Sequence, residues 1–230
     1  MEDIFVKLEN KVLSGGLLSF KEADMLYSVG EDNFMQLLTS ASRIRQHYRE
    51  DKISLCSITN ARSGKCNEDC VFCSQSARHN TDIDVYPLIS EEEMFKRAEA
   101  AAGFKTNRFC IVTSGRSVNE VELDSICSAL VKIRKKFPNL RLDASLGILS
   151  KESALKLKKS GLDRYNHNLE TAKSNFAHIC TTHTYEDRVR TIRRIKECGI
   201  QICCGGIIGL GETEKQRIEL AFELCQLDID

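Results

Sequence analysis

The chain has no net charge, no long apolar run and no basic leader. Lysine plus arginine total 33 and aspartate plus glutamate also total 33. No field therefore draws it toward nucleic acid or a membrane surface, and neither is an expected partner. The first residues, MEDIFVKLENKVLSGG, are acidic and amphipathic. They carry neither the basic start of a signal peptide nor the unbroken apolar stretch of a membrane span, and the expected compartment is the cytosol. In such a reducing compartment the 11 cysteines, odd in number and irregularly spaced, do not make a disulfide framework. Some of them are expected to bind metal. What is present is 42% hydrophobic content and 13 glycines over 230 residues, enough to bury one large core.

The most informative segment is CNEDCVFC, which places Cys66, Cys70 and Cys73 just past a short β-rich run at 53–61. Three thiolates in so short a loop can hold three corners of a cubic [4Fe–4S] cluster and leave one iron open to a small molecule. Zinc stays open on spacing alone, because His79 is near enough in sequence to supply a fourth ligand. A purely apolar role fits poorly, since Asn67, Glu68 and Asp69 make the loop polar.

Elsewhere, strand and helix patterns alternate. Residues 1–50 read as an N-terminal helical extension, with Ser19 and Glu22 as a capping box and helical apolar spacing at 34–51. Strand-like runs follow at 53–61, 108–113, 140–147, 163–169 and 200–210. Between and after them lie helical runs at 94–103, 118–137, 151–160, 185–198 and 218–227. Ser90 with Glu93, Ser150, Thr184, and Thr213 with Gln216 mark helix starts; Gly103, Gly161, Gly199 and Pro138 mark stops. The expected fold is α/β, a partial TIM-type (β/α) barrel of about five of eight units, spanning 51–230 and incomplete at its C-terminus, as in a fragment of a longer product. Functional side chains of such a fold gather at the C-terminal ends of the strands. Cys66, Cys110, Ser114, Asn166, Asn168 and Cys203 all fall there.

CNEDCVFCSQSAR resembles the CxxxCxxC loop of radical S-adenosylmethionine (SAM) enzymes, and its Ser-Gln-Ser narrows the likeness to the biotin synthase family. RFCIVTSGR, SLGIL, YNHNLET, TTHTYEDR and CCGGIIGLGET resemble that family's later motifs, in order and over nearly all of the chain. The resemblance implies a radical SAM sulfurtransferase that converts dethiobiotin to biotin by inserting sulfur at C6 and C9. A flavodoxin or ferredoxin would supply electrons, and the protein would be a homodimer. Cys66, Cys70 and Cys73 would hold the [4Fe–4S] cluster, whose open iron binds SAM. Cleavage of SAM there yields methionine and a 5′-deoxyadenosyl radical. Phe72 lies against the adenine or simply packs. Asn168 and Glu170 would bind ribose, with glutamate standing where aspartate is common, and Arg188 would pair with the methionine carboxylate. Gly205 and Gly206 would border the adenine; GGIIGLGE lacks the lysine of a P-loop. No catalytic residue is expected beyond the cofactor ligands.

The same resemblance implies an auxiliary iron–sulfur cluster, [2Fe–2S] or altered, held by Cys110 and Cys203. Asp143 stands at one cysteine position of that set, and a bulge at Gly205 and Gly206 would bring Cys204 inward as a replacement. Strand alternation turns His167 toward the helices as a structural residue, while Cys56, Cys127, Cys180, Cys198 and Cys225 read as core or helix positions. Two other functions remain open. One is a related radical SAM enzyme of maturase or mutase type without sulfur insertion, which Asp143 favours; the other is a cysteine-rich metal-binding module.

Overall fold

β-branched runs and well-capped helices alternate from Cys56 onward, and in a computed structural model, which describes residues 3–29 and 33–229, they build a single parallel sheet. Its strands are β1 (Cys56–Arg62), β2 (Arg108–Thr113), β3 (Arg141–Ser145), β4 (Arg164–Asn166) and β5 (Gln201–Cys203). They lie in sequence order and every neighbour is parallel. A doubly wound sheet would reverse its order midway, so this is the partial β/α barrel expected.

The crossovers run through α4 (Glu91–Gly103), α5 (Glu120–Lys136), α6 (Lys151–Lys159) and α8 (Tyr185–Glu197), with α9 (Glu214–Gln226) after β5. A 3-10 turn at Lys173–Asn175 and the short α7 (Phe176–Ile179) lie between β4 and α8. Ahead of β1 come α1 (Ile4–Leu13), α2 (Phe20–Tyr27) and α3 (Phe34–Arg49). The Phe20 ring of α2 meets Phe222 of α9 at 5.6 Å, and the Tyr27 hydroxyl accepts from Arg217 at 2.8 Å.

Capping boxes close at Ser19 with Glu22 and at Thr213 with Gln216, as the sequence suggests, and also at Asn119 with Glu122 and Thr184 with Asp187. At Ser90 only half of the expected box forms: its hydroxyl accepts from Glu93 N, while the Glu93 carboxylate pairs with Arg97, one turn on. Gly161 and Gly199 take the left-handed conformation expected of helix stops. Gly103 does not; it is the last helical residue of α4, and Lys105 carries the positive φ, 56°.

Alternate strand residues face the helices, where Phe109, Ile111, Leu142, Ala144, Tyr165 and Ile202 are buried against a layer that includes Leu123, Ile126, Leu130 and Ile133 of α5. Each such large side chain contributes about 1.5–3 kcal/mol on burial. The opposite faces point into the barrel, where Cys110, Asp143 and Arg164 stand in register. No described helix is long and apolar enough to cross a membrane.

Candidate functional site

A register shift between Asn60 and Arg62 ends β1 and turns the chain into the cysteine loop. Arg62 anchors the turn by donating to the carbonyls of Ser114 and Ser117 and pairing with Glu122. The loop then closes on itself: Cys66 N donates to Gln75 O at 3.0 Å and Ala77 N to Cys66 O at 2.7 Å. The residues trailing the last cysteine are its staples. Gln75 Oε1 accepts from Gly64 N and the Ser63 hydroxyl, and the Ser76 hydroxyl donates to Glu68 O.

Cys66, Cys70 and Cys73 line one cavity of about 360 Å³, together with Phe72, Asn168, Glu170 and Arg188. His79 Nε2 lies 2.9 Å from the Cys70 carbonyl and must donate to it. Among the described residues, no group of three metal-ligating side chains with converging ligand atoms includes His79. Burial, reinforced by the thiol of Cys180, pushes Cys70 up to about 12 in the metal-free chain. Three buried polar atoms on the cavity's residues find no partner among the described residues: Thr113 Oγ1, Asn166 Oδ1 and His167 Nε2. Each such group costs about 1–3 kcal/mol unless a ligand completes it. Three thiols and an unsatisfied polar wall fit a [4Fe–4S] cluster carrying a polar organic ligand.

Arg188 opens α8 and reaches across this wall, although its position in a first turn would equally suit a solvated charge. Its Nη1 donates to Asn168 O at 2.8 Å and pairs with Glu170 at 3.4 Å; its Nε donates to His183 Nε2 at 3.1 Å. The guanidinium also lies over the Phe176 ring at 5.6 Å. Glu170 adopts φ 69°, a left-handed backbone unusual for a residue with a side chain. Burial raises its pKa against the pull of Arg188.

His167 is buried, as Tyr165 and Leu169 are, while Asn166 and Asn168 between them are more open, so the alternation of faces continues past the end of β4. Its ring lies 6.3 Å from that of Tyr165 and the residue also borders the cavity; burial brings its pKa down to about 3, so the ring is neutral.

Deeper in the barrel, Cys110 is fully buried and accepts from Asn166 Nδ2 at 3.3 Å, and Asn166 pairs in register with Cys203. Asp143 is also fully buried, with its carboxylate clamped on both sides. Arg108 donates at 2.8–3.1 Å and Arg164 at 2.8–3.1 Å. β4 and β5 pair regularly through Cys203, and the next bridge, Glu170 with Gly206, is shifted by one residue. Cys204, past that strand, is partly buried against the core, where burial pushes its thiol up to about 11. Gly205 and Gly206 are not among the cavity's residues. Gly206 is small for another reason: a Cβ there would stand 2.5 Å from Leu220 and 2.8 Å from Glu170 O.

The sequence left Glu68 and His183 without a role and read Cys180 as a core or helix position. Burial opposes ionisation of Glu68, but hydrogen bonds from Thr182 and His183 outweigh it and lower its pKa. Burial first, and then the charge of Arg188, lower that of His183. Only the TTH triplet hinted at this group, because the partners lie more than 100 residues apart.

The rolled parallel sheet with a three-cysteine loop after β1 defines a radical SAM protein, and the family model described as the radical SAM superfamily matches residues 61–224. The biotin synthase of Citrifermentans bemidjiense is 46% identical over 230 residues, covering all of this chain and 70% of that protein. Those of Pelotomaculum thermopropionicum and Clostridioides difficile are 42% and 43% identical, over 98% and 100% of this chain and 70% and 71% of theirs. The chain belongs to the biotin synthase family. Solved structures share its fold: methylornithine synthase has a TM-score of 0.84 at 19% identity, covering 97% of this chain and 65% of that one. A maturase of the [FeFe]-hydrogenase has a TM-score of 0.81 at 18% identity, covering 98% and 51%.

Proposed function

We propose that the chain carries out the radical reaction of biotin synthase, inserting sulfur at C6 and C9 of dethiobiotin, with electrons from a flavodoxin or ferredoxin. The observation that carries this is the gathering of Cys66, Cys70 and Cys73 with unsatisfied polar atoms of Thr113, Asn166 and His167 around one cavity. The three cysteines would hold the [4Fe–4S] cluster, which, with SAM bound, supplies a 5′-deoxyadenosyl radical that abstracts hydrogen from carbon. Arg188 presents a fixed guanidinium to a carboxylate, and Asn168 and Glu170 offer hydrogen bonds to hydroxyls. The neutral ring of His167 adds no charge to the wall. The role of these side chains is to orient the ligand and exclude water.

An auxiliary cluster fits the described residues less well. Cys110 and Cys203 provide two thiols, but both oxygens of Asp143 are held by arginines. No step is therefore assigned to such a cluster, and sulfur insertion would need a donor beyond this ligand set. The clamp on Asp143 favours a second reading, radical chemistry of the same kind without sulfur insertion.

Incubating the anaerobically iron-loaded chain with SAM, a one-electron reductant and dethiobiotin separates the two. Biotin formed together with 5′-deoxyadenosine supports sulfur insertion. Deoxyadenosine without biotin contradicts it and leaves the second reading standing.

A further inference from the structure

We propose that Cys70, Cys180 and His183 form a mononuclear site for a soft, tetrahedral divalent cation of the zinc type in the chain before its iron–sulfur cluster is assembled. Among the described residues, these make up the one group of three such side chains whose ligand atoms all lie within 4.8 Å of one another, and all three residues are buried. The spacing matches a single ion. Cys70 Sγ and Cys180 Sγ are 3.8 Å apart, and two thiolates on a tetrahedral ion with bonds of about 2.3 Å stand roughly 3.8 Å apart. The nitrogens of His183 lie 3.2 and 3.9 Å from Cys180 Sγ. With Nδ1 held by Glu68, the Nε2 distance of 3.9 Å lies close to the separation of roughly 3.6 Å between a thiolate and an imidazole on one such ion. Cys66, Cys70 and Cys73 do not close into a group of this kind. That agrees with thiolates destined for separate irons.

The surroundings support ligation. Glu68 accepts from His183 Nδ1, which leaves Nε2, 3.9 Å from Cys180 Sγ, as the nitrogen able to bind the ion, the arrangement by which a carboxylate supports a metal-binding histidine. Nε2 accepts from Arg188 Nε at 3.1 Å and the Cys180 thiol donates to Asp69 Oδ1 at 3.2 Å; the cation would replace both hydrogen bonds. Val71 N donates to Ile179 O at 3.0 Å, tying the cysteine loop to the end of α7 and so holding Cys180 against Cys70. Asp69 accepts from Thr181 and Thr182 as well as from the Cys180 thiol and is not part of the three-ligand group, which leaves the fourth position to water. Binding would release the two thiol protons.

Cys70 cannot serve this ion and the cluster at once. The cation would hold the cysteine loop closed on α7 and block loading of iron. That competition rests on the cluster assignment above; the site itself does not.

The test titrates the cluster-free full chain anaerobically with Co²⁺, then with Zn²⁺. Thiolate-to-cobalt charge transfer and d–d bands of tetrahedral intensity should appear and be displaced by Zn²⁺. They should vanish in Cys180→Ala and Cys180→Ser, weaken on the order of 10–100-fold in affinity in Glu68→Gln, and persist in Cys66→Ala and Cys73→Ala. The Cys180 variants should still take up the cluster, which shows that they fold, and prior Zn²⁺ should block cluster loading in the parent chain but not in them. Bands that survive loss of Cys180, or that disappear with Cys66 or Cys73, would place the ion in the cysteine loop and overturn the proposal, as would the absence of tetrahedral bands. If the bands behave as expected but the parent chain takes up no cluster, the cluster assignment fails and the mononuclear site stands.

Discussion

At the scale of single residues, Asp143 shows how far identity alone falls short of role. Its position suggested a metal ligand, yet its carboxylate neutralises Arg108 and Arg164 inside the barrel. Asp143→Asn would leave two half-buried guanidiniums without a counter-charge, and the expected cost is about 3–5 kcal/mol in unfolding free energy, measured by urea titration. An unchanged stability would show that the clamp contributes little. Arg188 is the opposite case, because its sequence motif indicated an inward task and the structure gives it contacts to Asn168, Glu170 and His183. Arg188→Lys keeps the charge but loses the fork, so SAM affinity should fall on the order of tenfold, about 1.4 kcal/mol, with cluster content unchanged. Calorimetric titration of the loaded protein checks this. The cysteines were legible because ligand spacing is written locally in the chain. Glu68 with His183 was not, because that pairing exists only once the loop after β1 meets the segment after α7.

At the scale of elements, most starts and stops followed from side chains near them in sequence. Thr213 caps α9 and Gly161 stops α6 through bonds within a few residues. The miss at Ser90 has a tertiary cause: Glu93 turned to Arg97 instead of back to the cap. Gly147, after β3, has φ 81°, and a Cβ there would sit 2.2 Å from Arg116 O. Gly147→Ala therefore combines a left-handed backbone with a backbone clash. It should destabilise the chain by about 1–3 kcal/mol or more and lower the melting temperature, as thermal unfolding followed by circular dichroism would report.

At the scale of the whole molecule, the alternation of strand and helix was enough to predict the parallel sheet, and the order β1 to β5 places every strand end on one rim. That common rim brings Cys66, Asn168 and Arg188, distant in sequence, to one cavity. The inward face below it was less legible, because β4 and β5 are short and their registry decides which groups meet. The central claim is that three thiolates hold a cluster with one iron open to SAM. It is tested most directly by anaerobic reconstitution with iron and sulfide, metal analysis, and electron paramagnetic resonance of the reduced protein with and without SAM. The account predicts about four irons and four sulfides per chain, a reduced [4Fe–4S] signal that changes when SAM is added, and loss of the cluster in Cys66→Ala, Cys70→Ala or Cys73→Ala. A chain that takes up no iron under these conditions, or a cluster whose signal is indifferent to SAM, would contradict it.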